Sequence, residues 1–317
     1  MIEGIKFLLL AFLTAFFSIK LSIYADALDK ETKAGSLLIG GLFLAAITSF
    51  PELITGLTSI YINNIGLAIG DVLGSNTFNI LIISFLNIFF LKSLFMNKIS
   101  FKYGYLIGLL ILIYLIILVT VNSSFYTHKS LSLISVLILF IYLFFIVLLS
   151  KIKISEPNIE NTNIKGALYK FIIISLLLII VSISLALQAD KIFRLNTLFS
   201  SSTVGAFLLG ITTSLPEVVS TYALISIGSY NLGFSNIIGS NAFNFCIFVI
   251  CDLFVRGGHL YYFWDSDAFI FLKIGLLMHL ILLFSIFWKQ PKKYLLYLLP
   301  SIILLSLYFY MFYLQFS

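Results

Sequence analysis

One pair of short motifs occurs twice in this chain, and the duplication limits how the chain can fold more than any other feature. The first copy has T-S-F-P-E at residues 48–52 and G-S-N-T-F-N at residues 74–79, and the second has T-S-L-P-E at 213–217 and G-S-N-A-F-N at 239–244. Residues 36–81 align with residues 201–246 without a gap. Apolar matches are common by chance in so hydrophobic a chain, so the evidence for duplication is the shared Thr, Ser, Pro, Glu, Gly and Asn. The chain therefore contains an internal repeat.

The composition is that of a membrane protein. Of the 317 residues, 61% are hydrophobic and only 10% are charged, against about 25% charged in soluble domains. The apolar runs are long enough for helices of about 20 residues, and they lack the alternating pattern of a membrane β-barrel. They predict ten spans, at approximately 5–24, 35–61, 65–91, 103–121, 130–150, 167–187, 202–227, 232–254, 268–288 and 294–314.

The ten predicted spans divide into two equal halves. Residues 1–150 form the first half, the polar stretch 151–165 is a linker, and residues 166–317 form the second half. Because each half has an odd number of spans, the second copy enters the membrane from the opposite side. The predicted fold is an all-α polytopic membrane protein with about ten transmembrane helices in two inverted five-helix repeats.

Basic residues indicate how the chain is oriented. They are most frequent in the loops that are cytoplasmic if the N-terminus is outside, such as Lys98, Lys102, Lys151 and Lys153. The positive-inside rule then places both termini outside and the central linker in the cytoplasm. We expect an integral protein of the cell (inner) membrane.

Each copy of the first motif places an acid and a proline inside an apolar span. A charged residue at the membrane centre costs about 3 kcal/mol or more, so Glu52 and Glu217 are expected to have a function. Pro51 and Pro216 interrupt the helical hydrogen bonding and free main-chain carbonyls near the two acids. Free carbonyls are tolerated at that depth only where they line a cavity or bind something.

The second motif adds further oxygen ligands. Ser75 and Asn79 are four residues apart and share a helix face, as do Ser240 and Asn244. Carboxylates, hydroxyls, amides and free carbonyls together make an all-oxygen site, which suits hard cations such as Ca²⁺. Zinc, copper and iron are not expected, since the only soft ligands near the motifs are Cys246 and Cys251, and His279 is isolated in another span.

At this point the doubled motifs resemble the two α-repeats of sodium/calcium exchangers, in the calcium/cation antiporter superfamily, of a prokaryotic type without a large regulatory loop. The resemblance covers most of the chain. It implies a central pair of motif-bearing helices across which the first and sixth spans slide. The ion ligands that it implies are Ala45, Thr48, Ser49, Glu52, Ser75, Asn79, Gly210, Thr213, Ser214, Glu217, Ser240 and Asn244.

The chain departs from the family pattern at two positions. Some relatives have Asp at the position of Asn244, so only the two Glu are certain anions at the centre. Relatives also tend to have Asn at the position of Asp71. Asp71 is either a displaced third acid or an interfacial residue near the helix break at Asn63–Asn64, and we favour the interfacial position.

These features predict a cation antiporter that exchanges Ca²⁺ for Na⁺ by alternating access. When the site is empty, two carboxylates are left in a medium of low dielectric constant, whereas one Ca²⁺ or two Na⁺ neutralise them. Only the loaded protein is therefore expected to convert easily between its outward-facing and inward-facing forms. The alternative is a proton-coupled exchanger of Ca²⁺ or another divalent cation, with Glu52 and Glu217 as proton carriers. A cation channel is less consistent with a charged centre flanked by broken helices.

An enzyme is not expected, because the spans show no catalytic dyad or zinc-type spacing of His and Glu. The predicted partners are the lipid bilayer and the transported ions Ca²⁺ and Na⁺, or H⁺ in the alternative. No cofactor and no nucleic acid is expected, and we expect a monomer.

Overall fold

The computed structural model describes residues 2–31, 35–122, 132–151, 164–193, 200–256, 258–288 and 294–316, and within these ranges the chain is helical without β-strands. The helices of the first half are α1 (Ile2–Glu31), α2 (Gly35–Leu38), α3 (Ala45–Thr48), α4 (Phe50–Tyr61), α5 (Ile65–Phe89), α6 (Tyr103–Asn122) and α7 (Leu133–Lys151). Those of the second half are α8 (Ile164–Phe193), α9 (Ser201–Val204), α10 (Gly210–Thr213), α11 (Leu215–Ser226), α12 (Tyr230–Phe254), α13 (Ser266–Phe287) and α14 (Tyr294–Phe316). Most of the predicted linker, 151–165, lies outside the described residues.

Ten spans account for the described helices. Eight of these helices are long and apolar enough to cross a membrane, and two bent helix pairs supply the other two spans. Apolar side chains such as Leu8, Phe12, Phe140 and Leu176 are exposed on the outside of the bundle, as expected for contact with lipid. The structure therefore confirms an all-helical integral membrane protein, with the spans close to their predicted positions.

The two bent spans carry the T-S-x-P-E motifs. In each, a π-helical segment (Ile39–Leu44 or Gly205–Leu209) precedes a short α-helix, and the second helix of the pair follows after a bend of 45° in the first half and 44° in the second. The bends lie at Ser49 and Ser214, and a proline occupies the first turn of the helix that follows, where its missing N–H is tolerated. The sequence correctly predicted these breaks.

Both bent spans also end in the same turn. Asn63 has φ of 60° and Gly228 has φ of 87°, and these residues are at equivalent positions of the two repeats. In each turn the next N–H bonds back to the carbonyl five residues earlier, Asn64 to Ser59 at 2.8 Å and Ser229 to Leu224 at 2.9 Å. This is a Schellman motif, which reverses the chain directly into α5 and α12.

Helices α5 and α12 form the centre of the molecule. In each, 72% of an 18-residue apolar stretch is buried, compared with 22–44% in the other long helices. Each packs against the bent span of the opposite repeat, and a Cβ added at Gly239 would overlap the main chain of Gly41, just as one at Gly74 would overlap Ala206. These four small residues let the backbones of the two repeats approach closely.

Helices α1 and α8 lie together on one side of this centre. They pack extensively against each other, α1 also contacts α11, and α8 contacts α4. Each of the two long helices therefore touches the second part of a bent span, beside the motif residues.

Candidate cation site

The two buried glutamates are held by hydroxyl groups from opposite repeats. Glu52 and Glu217 are both fully buried. The Ser49 hydroxyl donates to Oε1 of Glu217 at 2.7 Å, and the Ser214 hydroxyl donates to Oε1 of Glu52 at 3.0 Å. Both serines lie at the helix bends, so the bends bring each hydroxyl to the carboxylate of the other copy.

Four side-chain oxygens of the predicted ligands are buried and have no hydrogen-bond partner among the described atoms. They are Oε2 of Glu52, Oε2 of Glu217, Oδ1 of Asn79 and Oδ1 of Asn244. They form two pairs related by the repeat. Leaving one such group unsatisfied costs about 1–3 kcal/mol, and more if it is charged. Four unsatisfied oxygens on repeat-related residues make this a candidate cation site.

The two asparagines are oriented by hydrogen bonds between the repeats. Asn79 donates through Nδ2 to Oδ1 of Asn241 at 2.9 Å, and Asn244 donates through Nδ2 to Oδ1 of Asn76 at 3.0 Å. Because each amide nitrogen is occupied, each amide oxygen is the free end. An oxygen is the end that a cation requires.

Hydroxyl and main-chain oxygens complete the candidate ligand set. The Ser240 hydroxyl donates to Glu217 at 3.3 Å, and the Ser75 hydroxyl donates to the carbonyl of Gly210 at 3.3 Å. The Thr48 hydroxyl donates to the carbonyl of Ala45 at 3.3 Å. The residues that the sequence predicted as ligands are all buried, and they are Ala45, Thr48, Ser49, Glu52, Ser75, Asn79, Gly210, Thr213, Ser214, Glu217, Ser240 and Asn244.

Asp71 is not interfacial, and our preferred interpretation of it from the sequence is wrong. It is fully buried, its Oδ1 accepts from the Thr213 hydroxyl at 3.2 Å, and its Oδ2 accepts from Thr55. Oδ1 of Asn236, at the equivalent position of the second repeat, lies 3.4 Å from the Thr48 hydroxyl. Asp71 therefore adds a third acid beside the predicted ligands, in one repeat only.

The electrostatics and ligand types suit a hard cation. The ion pairs found among the described residues do not involve Glu52, Asp71 or Glu217. Within the described ranges no three of the His, Cys, Asp and Glu side chains are placed to hold a metal by themselves, so a cation here would also need hydroxyl, amide and main-chain oxygens as ligands. Acids set among hydroxyls and amides are a ligand set with no preference for soft metals.

Three asparagines beside the site were not identified from the sequence. Asn76 and Asn241 belong to the doubled G-S-N motif, and Asn236 is at the position equivalent to Asp71, so the repeat itself is the signal that could have found them. His279 is not isolated as expected. Its Nε2 lies 3.0 Å from Nδ2 of Asn241, a contact that spacing along the chain cannot reveal.

Inverted five-helix repeats around a buried oxygen site define a secondary transporter of cations, not an enzyme. Comparison with known families supports this class, because the sequence profile described as "Sodium/calcium exchanger protein" matches residues 4–151 and 167–317. The chain belongs to this family, whose members are cation antiporters.

Solved structures with the same fold include those of the sodium-calcium exchanger NCX_Mj. One, soaked with 2.5 mM Na⁺ and 1 mM Sr²⁺, superposes with a TM-score of 0.70 at 19% identity, covering 98% of this chain and 97% of that one. Another, soaked with zero Na⁺ and Ca²⁺, gives a TM-score of 0.69 at 19% identity and the same coverage. Among curated protein sequences, none matches the chain.

Proposed function

We propose that this antiporter exchanges Ca²⁺ for Na⁺ at the candidate cation site, using the twelve predicted ligands. The observation that carries the proposal is the set of four unpartnered buried oxygens, on Glu52, Asn79, Glu217 and Asn244. A dehydrated Ca²⁺ or Na⁺ provides the missing partner for all four. Membership of the sodium/calcium exchanger family supports these two ions in particular.

Charge balance gives the reason for coupled exchange. The acids of the site are buried without an ion pair among the described residues, so moving the empty site through the membrane exposes uncompensated charge to a low dielectric. Ca²⁺ or a group of Na⁺ ions removes that penalty. Only loaded states then cross at an appreciable rate, and outward movement of one ion requires inward movement of the other.

Alternating access follows from the inverted repeat. The bent spans of the two halves have nearly the same bend, and each lies against the central helix of the other half. If the halves exchange conformations, an opening on one side of the membrane becomes an opening on the other. Helices α1 and α8, which touch the second parts of the bent spans, are the elements we propose to slide.

The experiment is ⁴⁵Ca²⁺ uptake into proteoliposomes under an imposed gradient. We expect uptake when Na⁺ is loaded inside and absent outside, and no uptake when only a pH gradient is imposed. The variant Glu52→Gln, reconstituted at the same density, is the control for leak. Uptake that follows the pH gradient and ignores Na⁺ would establish the proton-coupled alternative instead.

For orientation, we propose that the termini lie outside and the linker, 151–165, lies in the cytoplasm. The support is the excess of basic residues in the loops assigned to the inside. Single cysteines placed at position 158 and at position 317, in a variant lacking Cys246 and Cys251, can be labelled in intact cells with a reagent that does not cross membranes. Labelling at position 158 without lysis would contradict the proposed orientation.

A further inference from the structure

A chain of hydrogen bonds leads from α13 to one of the candidate ligands. Nδ1 of His279 lies 2.7 Å from the carbonyl oxygen of Gly275, and Nε2 of His279 lies 3.0 Å from Nδ2 of Asn241. Oδ1 of Asn241 in turn accepts from Nδ2 of Asn79 at 2.9 Å. The side chains of His279, Asn241 and Asn79 are fully buried. His279 therefore reaches the candidate ligand Asn79 through one intervening residue, Asn241.

The direction of every bond in this chain follows from its first member. A main-chain carbonyl can only accept, so Nδ1 of His279 carries the hydrogen. In a neutral imidazole the other nitrogen then has none, and Nε2 accepts from the amide nitrogen of Asn241. Asn241 is left with its oxygen toward Asn79, so Asn79 must donate and present its own Oδ1, one of the four unpartnered oxygens.

We propose that His279 is a positioning residue of the cation site, which holds the oxygen of Asn79 toward the ion through Asn241. The inference rests on the proposed function and adds to it a residue outside both motifs. An amide can rotate by half a turn at little steric cost, but rotation of the Asn241 amide would place its oxygen against Nε2 of His279, which has no hydrogen, and would place N–H against N–H at Asn79. It would also break the bond from Nδ2 of Asn241 to the main-chain carbonyl of Asn76 at 3.3 Å. The histidine, together with that carbonyl, therefore holds the Asn79 amide with its oxygen toward the ion.

The other repeat lacks such an anchor. Tyr114 on α6 occupies the position equivalent to His279, and the ring centroids of the two residues are 4.9 Å apart. Neither the Tyr114 hydroxyl nor Nδ2 of Asn76 has a hydrogen-bond partner among the described atoms. The Asn76–Asn244 pair is thus not held from outside by a ring. Tyr114→Phe, which removes a buried polar atom at the equivalent place, is a matched control.

The test uses the purified full-length protein and measures equilibrium ⁴⁵Ca²⁺ binding, with monodispersity and melting temperature recorded separately. His279→Phe removes the acceptor and keeps a ring, and we expect the half-saturating Ca²⁺ concentration to rise about tenfold, the equivalent of one hydrogen bond of about 1.4 kcal/mol. His279→Gln, whose Oε1 can accept from Asn241, should restore most of the affinity. Tyr114→Phe should bind Ca²⁺ like the unmodified protein.

A double-mutant cycle separates positioning from general stability. If His279 acts through Asn241, adding His279→Phe to Asn241→Leu should change the affinity by less than about twofold. Adding His279→Phe to Asn76→Leu, in the other repeat, should lower the Ca²⁺ affinity by the full factor of about ten. If the histidine were merely structural, His279→Phe would lower the melting temperature without changing the Ca²⁺ affinity. His279→Gln would then bind Ca²⁺ like His279→Phe, and neither double-mutant cycle would show a change in affinity.

Each result bears on the inference alone or on the proposed function alone. The positioning role would be overturned if His279→Phe bound Ca²⁺ with the affinity of the unmodified protein. It would also be overturned if His279→Phe changed the affinity equally in the Asn241→Leu and Asn76→Leu backgrounds. If the Phe variant does not fold, His279→Met replaces it as the variant without an acceptor, and equal affinities of the Met and Gln variants would be the overturning result. If the unmodified protein binds no Ca²⁺, the proposed function fails, whatever the variants do.

Discussion

At the scale of single residues, the site depends on a few buried polar groups whose partners lie in the opposite repeat. Each glutamate accepts from a serine of the other copy, and each asparagine predicted as a ligand donates to an asparagine of the other copy. No half can therefore assemble the site alone. Substitutions at these residues are expected to affect ion binding more than folding, because the unpartnered oxygens are already a cost to the fold.

Glu52→Gln and Glu217→Gln test this expectation directly. The amide keeps the shape of the side chain and its hydrogen bond from serine, but removes one negative charge, so we expect exchange to fall at least about a hundredfold in each variant. Folded yield should be unchanged or higher, since a neutral side chain is less costly in the membrane. Flux in proteoliposomes and yield from size-exclusion chromatography give the two readings. Normal Ca²⁺ affinity in either variant would contradict the site.

Asp71 allows a second test at this scale, because Asn236 shows how an amide fits at the equivalent position. Asp71→Asn should fold normally and lower Ca²⁺ affinity on the order of tenfold, since it removes a buried acid that is hydrogen-bonded to the predicted ligand Thr213. Asn236→Asp, the converse change in the other repeat, should raise the Ca²⁺ affinity. Equilibrium ⁴⁵Ca²⁺ binding to both purified variants is the measurement. Unchanged affinity in both would show that Asp71 serves only to bind Thr55 and Thr213.

At the scale of elements, the bent spans depend on their proline-containing bends and on the turns that follow them. The two turns have the same hydrogen bonds, but one uses Asn63 and the other Gly228 at the residue with positive φ. An L-residue with a Cβ is strained in that conformation, and Asn tolerates it best. The turns therefore set the direction of α5 and α12 relative to the bends.

Substitution at Gly228 should reflect this conformational requirement. Gly228→Ala is expected to destabilise the protein by about 1 kcal/mol, whereas Gly228→Asn should cost less because Asn63 already occupies the equivalent position. No heavy atom lies within 4 Å of a Cβ at Gly228, so crowding does not contribute. Thermal unfolding of the two variants in detergent provides the comparison. A larger loss for Asn than for Ala would refute the conformational explanation.

At the scale of the whole molecule, the repeats are joined by the close contact of each central helix with the opposite bent span. Gly239 lies against Gly41, and Gly74 lies against Ala206. Main chain meets main chain at both contacts, so neither can yield by rotating a side chain. The relative position of the two halves, and with it the site, depends on these small residues.

Gly239→Ala is accordingly expected to abolish most of the folded protein. The matched control is Gly108→Ala in α6, because a Cβ at Gly108 meets no heavy atom within 4 Å and alanine favours a helix by about 1 kcal/mol. Fluorescence-detected size-exclusion chromatography of the two variants is sufficient to compare them. Similar monodisperse peaks would mean that the helices separate easily and that the close contact is not needed for folding.

The sequence by itself determined the features that depend on local spacing and on burial in a bilayer. Hydropathy located the spans, the doubled motifs revealed the repeat, and the odd number of spans in each half required inversion. The prolines located the bends, and the two acids within apolar spans indicated the candidate cation site. Each of these depends on residues close together in the chain or on the cost of charge in lipid.

Only the tertiary structure decided which side chains meet. Ser49 with Glu217, Asn79 with Asn241, and Asn241 with His279 each join residues that are far apart in the chain. Whether such residues touch depends on the rotation and depth of one helix against another, which the packing of small residues at the centre fixes. For the same reason, the expectations from the sequence that Asp71 is interfacial and that His279 is isolated were wrong, and both residues are buried beside the candidate site.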